Sequence, residues 1–374
     1  MVAELMVRAG GKEYPISVGR GIYGRVLPEA LRRLAPARVA VVTHPTLREG
    51  YGQILEEAIQ AGLSGEARVA WFTFPEGEEN KNLRVVEEGY RHLIREGFTR
   101  EDLVVAFGGG VVGDLAGFLS ATYMRGVRYL QLPTTLMSMV DSSIGGKTGV
   151  DLLEGKNAVG CFHQPEAVIA DVSVLETLPE RELLSGLAEV AKYGFLYDRE
   201  ILQEMEGWPE GRPPQGYDFT SLVRRCAEHK VKAVEADERD LKGVRAFLNY
   251  GHTFGHALEA AAGYRLLRHG EAVALGMIMA SRLAERSGLS RTPLEEGHLR
   301  VLLPLLQYIP SALEVSAQEV LGFMEADKKR GRAIRFVLLR DWQSPVLVDS
   351  PPVELVREAV GKTLEDLRGW MGYP

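Results

Sequence analysis

The sequence predicts an α/β N-terminal domain followed by a mainly α-helical C-terminal domain. Three observations predict it. Short apolar runs of strand length alternate with amphipathic helical stretches as far as Leu178-Pro179. A cluster of glycines, Gly108 to Gly113, stands directly behind one of those apolar runs. Beyond Pro179 the strand-like runs give way to helical spacing. Strands alternating with helices imply a mainly parallel sheet covered on both faces.

The elements follow in order. Residues 1–20 read as short strands turning at Gly10-Gly11. Arg38–Thr43, Arg68–Phe74, Leu103–Phe107, Tyr129–Pro133 and Ala167–Asp171 read as buried strands. Between them, Leu47–Gly62 and Leu83–Glu96 are helical, each ending at or beside a glycine, a common helix stop. A third helix is expected over Asp114–Met124. The domain boundary is placed at residue 178, giving domains 1–178 and 179–374. In the second domain Glu180–Phe195, Phe219–Asp237, Leu248–Ala262 and Ala272–Gly288 read as helices. Trp208–Gly216 is a loop by its prolines and glycines, Ile334–Leu339 a late strand or hairpin, and Val353–Trp370 a closing helix.

Composition excludes several classes. A formal net charge of −7 argues against nucleic acid as a partner. Two cysteines, Cys161 and Cys226, do not make a disulfide framework. No apolar run of about 18 residues suggests a membrane span, and no signal peptide is visible. The expectation is a cytoplasmic enzyme.

Gly108-Gly109-Gly110-Val111-Val112-Gly113-Asp114 carries the spacing G-x-G-x-x-G between a strand and a helix. Glycines let a backbone approach a pyrophosphate, and the N–H groups opening the helix face its charge. No acid stands about 20 positions on to take the ribose hydroxyls. Pro133-Thr134-Thr135 and the segment Pro75 to Lys81, however, place further polar groups behind neighbouring strands. Ligands of open α/β sheets bind outside the carboxyl ends of the strands, so the N-terminal domain reads as Rossmann-like and dinucleotide-binding.

In the helical half, His252 and His256 stand at i, i+4 and could share one ion. His269 opens another helix, and Glu189 is a lone carboxylate on a largely apolar one. An acid there needs a partner, and a metal is one. Spacing nominates His252 and His256, with His269 or Glu189 third. His44, His92, His163, His229 and His298 read as solvent or turn residues, although His44 ends a sheet strand. Asp141 to Val150 (DSSIGGKTGV) looks like the end of a P-loop but lacks its spacing, which excludes that mode of nucleotide hydrolysis. Arg125, Lys147, Lys156, Lys192 and Arg245, with Asn157, sit in small-residue or apolar contexts. Together they suggest a pocket for an anion.

Six blocks carry a resemblance: GGGVVGDLAGFLSATYMRG (108–126), LPTTLMSMVDSSIGGKTGVD (132–151), GKNAVGCFHQP (155–165), LAEVAKYG (187–194), LNYGHTFGHALE (248–259) and HGEAVALGM (269–277). In this order they resemble the 3-dehydroquinate synthase family, a group of sugar phosphate cyclases, from about residue 75 to about residue 340. The resemblance implies NAD in the N-terminal domain and zinc or cobalt in the C-terminal one. By motif, the metal ligands become Glu189, His252 and His269, and His256 moves to a substrate role near the phosphate. Asp141, Lys147, Lys156, Asn157, Lys192, Arg245 and Asn249 match substrate-pocket positions. Lys230 is preferred over Lys232, and Lys328 over Lys329, for two more. Arg125 matches an arginine that reaches the neighbouring subunit's site, implying a homodimer. NAD contacts map to Glu76, Glu78, Lys81, Gly110, Val111, Val112, Gly113, Asp114, Thr134, Thr135, Lys147, Lys156 and Thr177. His44 departs from the Asp or Asn common in relatives, which bears on NAD affinity.

The implied substrate is a small anionic sugar acid phosphate, 3-deoxy-D-arabino-heptulosonate 7-phosphate. The implied reaction oxidises C5 transiently, expels phosphate, reduces the ketone again and closes the ring by an intramolecular aldol step. That places the enzyme in the shikimate pathway. Rival readings are another sugar phosphate cyclase, or a metal-dependent alcohol or glycerol dehydrogenase. Arg245 and a lysine near 230 favour a carboxylate-bearing substrate over the first, and the basic cluster disfavours the second.

Overall fold

The structure is a computed structural model that describes residues 2–63, 68–310, 313–329 and 334–370, with the side chains of 326–329 outside the described set. It begins with β1 (Val2–Ala9) and β2 (Lys12–Gly19), an antiparallel hairpin. Its two-residue turn is Gly10-Gly11, both at positive φ (63° and 71°), the backbone that such hairpin turns require. Then come α1 (Tyr23–Leu34), β3 (Arg38–Thr43), α2 (Pro45–Gly62), β4 (Arg68–Thr73) and α3 (Leu83–Arg95). β5 (Leu103–Gly108), α4 (Gly110–Thr122) and β6 (Arg128–Pro133) follow. A second hairpin, β7 (Lys147–Leu152) with β8 (Gly155–Phe162), precedes β9 (Val168–Asp171).

The sheet order is β1-β2-β9-β6-β5-β3-β4, parallel except for β1 against β2. Every residue of β5 is buried, and Val104, Ala106, Leu115, Leu119 and Phe72 lie in one core cluster beneath α3 and α4. Each such large apolar side chain contributes about 1.5–3 kcal/mol. β3 connects onward to β4 on one side while its other neighbour is β5, so chain direction across the sheet reverses there. The glycine turn lies at the carboxyl end of β5, beside that reversal, where such sheets take their ligands.

The second half consists of α5 (Glu180–Leu196), α6 (Arg199–Glu206), α7 (Thr220–Ala236), α8 (His252–Ala261), α9 (His269–Arg286), α10 (Leu294–Leu302) and α11 (Ala317–Lys329). β10 (Arg335–Leu339) and β11 (Pro345–Asp349) form a hairpin, and α12 (Val353–Trp370) closes the chain. α9 is buried at every position from Gly270 to Ala284, as befits the central helix of a bundle, with α5, α8, α10 and α12 packed around it. None of the helices among the described residues is long and apolar enough to cross a membrane.

The chain forms two compact units: 1–178 with 218–239, and 179–217 with 240–374. The chain first leaves unit 1 after Leu178 and returns to it for α7. Arg8 N donates to Glu235 Oε1 of α7 (2.9 Å), and Gln164 Nε2 donates to Glu238 Oε1 just beyond the helix end (3.2 Å). Two expectations shift. α4 starts at Gly110, four residues before the predicted Asp114, because the glycines themselves form its first turn. The helix expected over Leu248–Ala262 is broken at Gly251, whose φ of 80° no continuous helix permits.

Candidate functional site

In unit 1 the glycine turn is surrounded by charge. Lys81 is 4% exposed. Its Nζ donates to Asn157 Oδ1 (2.7 Å) and Asp114 Oδ2 (3.2 Å), and pairs with Glu78 Oε1 at 3.2 Å and Asp151 Oδ1 at 3.8 Å. Lys156 Nζ stands 3.9 Å from Glu78 Oε1. Three segments named by the sequence therefore meet here: Glu76–Lys81 behind β4, the first turn of α4, and the β7–β8 hairpin. Burial pushes the Asp114 carboxyl up to about 6 against the pull of Lys81. Burial would raise Glu78 too, but Lys81 and Lys156 hold it below its ordinary value. Asp151, raised by burial, completes this network and was not singled out from sequence. Its carboxylate accepts from Asn157 N (2.6 Å) and sets the tip of the hairpin.

The other nucleotide candidates lie along the carboxyl edge of the same sheet. Thr134 N donates to Gly108 O (3.0 Å), tying β6 to the glycine turn, and the Thr135 hydroxyl bonds Ser138 Oγ (3.0 Å). The Thr177 hydroxyl meets Tyr51 OH at 2.6 Å. Gly110, Val111, Val112 and Gly113 form the first turn of α4. His44 is not a solvent residue. It is 9% exposed, its Nδ1 donates to Phe74 O (3.0 Å), and burial lowers its pKa.

Also in unit 1, Asp141 sits in a short π-helical turn, Ser138–Ser142. The buried Lys230 of α7 donates to its Oδ1 at 2.7 Å. Lys232 is exposed. Lys147 and Arg125 are exposed as well, Lys147 at the start of β7 and Arg125 at φ 65° in the turn after α4.

In unit 2 a compact cluster forms around Glu189, which is 1% exposed on α5. Neither of its carboxylate oxygens receives a well-directed hydrogen bond, although the Lys192 ammonium lies against Oε2. His252 Nε2 and His269 Nε2 approach Oε1 at 3.5 and 3.7 Å. Four ligands at about 2.1 Å around a tetrahedral ion stand about 3.4 Å apart, so this trio fits one divalent cation. Each imidazole is oriented from behind. His252 Nδ1 donates to Tyr250 O (3.2 Å), leaving Nε2 as a lone-pair donor. His269 Nδ1 stands 3.5 Å from Glu259 Oε1. Burial, then Lys192, keeps the His252 imidazole neutral, well below its ordinary value. Burial would lower His269 as well, but Glu259 more than offsets it and the net shift is upward.

His256 lies one turn beyond His252, exposed, with ring centroids 5.4 Å apart. It can join Glu259 and His269 in a second trio, but only the Glu189 trio has a carboxylate without hydrogen bonds at its centre. Arg245 is buried, and Asn249, ending the same 3-10 turn, is exposed. The side chains of Lys328 and Lys329 lie outside the described residues. Glu259 was missed from sequence. Its signal was a carboxylate closing an otherwise apolar helix, seven residues after His252. His298, read as a solvent or turn residue, is fully buried. Leu294, Val301 and Leu302 share its face of α10, a periodicity that marks it as a core position. His163 is also half-buried, stacked on Tyr129 with centroids 5.1 Å apart.

The local folding that builds this cluster depends on close backbone approach. A Cβ on Gly270 would stand 1.9 Å from Ser185 O, so only glycine lets the start of α9 lie on α5. There Gly270 N donates to Ser185 Oγ (3.0 Å). Arg181 clamps Glu271 with two bonds of 2.7 and 2.8 Å, and Glu271 accepts from Arg268 N (2.8 Å). These bonds fix the helix end that carries His269.

The family models described as 3-dehydroquinate synthase N-terminal and C-terminal match residues 71–185 and 186–330. A 3-dehydroquinate synthase of Acidithiobacillus ferrooxidans is 41% identical over 365 residues, covering 96% of this chain and 98% of the relative. One of Symbiobacterium thermophilum is 44% identical over 368 residues, covering 96% and 99%. Among solved structures, 2-epi-5-epi-valiolone synthase of Streptomyces hygroscopicus, with NAD+ and Zn2+ bound, superposes with a TM-score of 0.80 at 27% identity, covering 94% and 97%. A 2-deoxy-scyllo-inosose synthase shares the fold with a TM-score of 0.84 at 24% identity, covering 96% and 99%.

Proposed function

Because the chain belongs to the 3-dehydroquinate synthase family, we propose that it converts 3-deoxy-D-arabino-heptulosonate 7-phosphate to 3-dehydroquinate and phosphate, using NAD and a divalent zinc or cobalt ion. The observation that carries the chemistry is the buried Glu189 carboxylate, without hydrogen bonds and faced by two imidazole Nε2 atoms. The 41–44% identity over nearly the whole chain supports this substrate over those of the cyclases at 24–27% identity.

When bound, NAD accepts and returns the hydride, and the ion supplies Lewis-acid polarisation of the hydroxyl being oxidised. Glu189, His252 and His269 would hold that ion, with Glu259 and the Tyr250 carbonyl fixing the two imidazoles. Gly110–Gly113, which open α4, would hold the pyrophosphate through their N–H groups. Glu76, Glu78, Lys81, Asp114, Thr134, Thr135, Lys147, Lys156 and Thr177 complete the nucleotide site. Lys230 and Arg245, with Lys147, would pair with phosphate and carboxylate oxygens, since such charge-assisted bonds are about twice as strong as neutral ones. Asp141 and Lys192 would orient the hydroxyls at the metal, and Asn157, Asn249 and His256 would make the remaining substrate contacts. The chain's work is orientation and electrostatics, because the substrate's own phosphate serves as base.

The same reading makes the protein a cytoplasmic homodimer in which Arg125 reaches the partner's site. Support comes from the turn itself: Met124, Arg125 and Gly126 stand at φ 49°, 65° and 122°, an unusual backbone that presents an exposed guanidinium.

The test is phosphate release from 3-deoxy-D-arabino-heptulosonate 7-phosphate with catalytic NAD, with and without a chelator. Chelator-sensitive release, with dehydroquinate formed and no net NADH, is the expected result. Folded, metal-loaded protein that releases no phosphate overturns the substrate assignment.

A further inference from the structure

His298 is 12 residues beyond α9 and absent from every motif that named the site. It is fully buried, yet both ring nitrogens are engaged. Its Nδ1 lies 2.7 Å from Leu294 O, and its Nε2 lies 2.7 Å from Tyr250 OH. A carbonyl oxygen only accepts, so Nδ1 carries the proton and Nε2 accepts from the tyrosine hydroxyl. Tyr250 is 0% exposed, so without His298 its hydroxyl is left buried and unpaired. The carbonyl of this same Tyr250 accepts from His252 Nδ1 at 3.2 Å.

The ring plane is fixed too. His298 stacks on Phe195 with centroids 3.8 Å apart and planes 7° apart, and lies near-parallel to Trp342 at 5.7 Å. Phe195 is on α5, the helix that carries Glu189. The turn joining β10 to β11 holds the end of that helix, with Gln343 N donating to Phe195 O (3.2 Å) and Gln343 Nε2 to Gly194 O (2.9 Å). One buried imidazole thus grips both the helix bearing Glu189 and the residue whose carbonyl aims His252.

We propose that His298 is a positioning residue for the metal centre, acting through Tyr250 to hold the His252 imidazole in its ligating tautomer and direction. The inference rests on the Glu189–His252–His269 metal reading. Outer groups that orient a metal-bound histidine are worth about 10- to 100-fold in metal affinity. A core histidine with no such role would affect stability alone.

The experiment is chelator competition for Co2+ on full-length wild-type, Tyr250→Phe, His298→Phe, the double variant, and Leu302→Ala as a packing control in the same helix. Absorption of the bound cobalt is recorded alongside. Tyr250→Phe removes one oxygen and keeps the ring, so it tests the relay even if His298→Phe does not fold. The expected result is about tenfold or greater loss of Co2+ affinity in both single variants, no further loss in the double variant, and an altered cobalt spectrum. Leu302→Ala lowers the melting temperature and leaves affinity and spectrum unchanged. Wild-type affinity and spectrum in Tyr250→Phe overturn the proposal while leaving the metal centre intact. Wild-type protein that takes up no cobalt overturns the metal reading and this inference with it.

Discussion

Lys192 and Glu189 stand three residues apart on α5, both about 1% exposed, with the ammonium against a carboxylate that has no well-directed hydrogen bond. A buried carboxylate needs a compensating charge. In metal-free protein Lys192 supplies it, and a bound cation would share that duty. Lys192→Met should therefore destabilise metal-free protein by the ~3–5 kcal/mol typical of a broken buried pair, and Co2+ should restore most of the loss. Urea unfolding with and without the ion measures both. Equal stability of variant and wild type without metal would sink the compensation argument.

Gly270 is the backbone contact on which α9 lies against α5. Gly270→Ala must push the helices apart, because its methyl group would fall 1.9 Å from Ser185 O. The expected cost is at least the ~1–3 kcal/mol of overpacking, with Co2+ uptake lost because His269 moves with the helix start. A variant that melts early but binds cobalt normally would show that the helix start adjusts without carrying His269 along.

Lys230 and Lys232 are separated by burial and partner. Lys230 is buried and donates to Asp141 at 2.7 Å, while Lys232 is exposed. Lys230→Met should abolish phosphate release, whereas Lys232→Met should leave turnover unchanged and stability within about 0.5 kcal/mol. The reverse pattern would transfer the substrate role to Lys232.

The pH dependence of folding has a readable component. Burial depresses the His298 imidazole from 6.5 to about 4. A histidine depressed in the folded state contributes its full stability above 6.5, the unfolded value, and loses it as pH falls toward about 4. The loss is on the order of 3 kcal/mol. The difference in unfolding free energy between wild type and His298→Phe should therefore shrink as pH falls across that window. A difference independent of pH would mean that His298 is not held neutral in the fold.

Much of this architecture was legible before the fold. Buried strands such as Arg38–Thr43 announced themselves by continuous apolar residues, and Val353–Trp370 by helical periodicity. The β7–β8 hairpin was not legible, because β8 is largely exposed and its residues lack a clean alternation. α7 reads as a helix from its own residues, yet nothing in them says that Lys230 pairs with Asp141, 89 positions earlier. His298 reads as a solvent or turn residue only while Leu294 and Leu302, four residues to either side of it, are overlooked; they share its buried face.

By itself the sequence determined the types of element, the glycine turn behind β5, and, through six ordered blocks, the family and the residues that could bind metal. These are local properties, set by side-chain periodicity and by backbone conformations that only certain residues tolerate. Tertiary structure alone decided that Glu189 is buried without hydrogen bonds, that Glu259 and Tyr250 stand behind the two histidines, and that α7 returns to the first unit. Those facts depend on which distant surfaces exclude water together, and that is settled by packing across the whole chain.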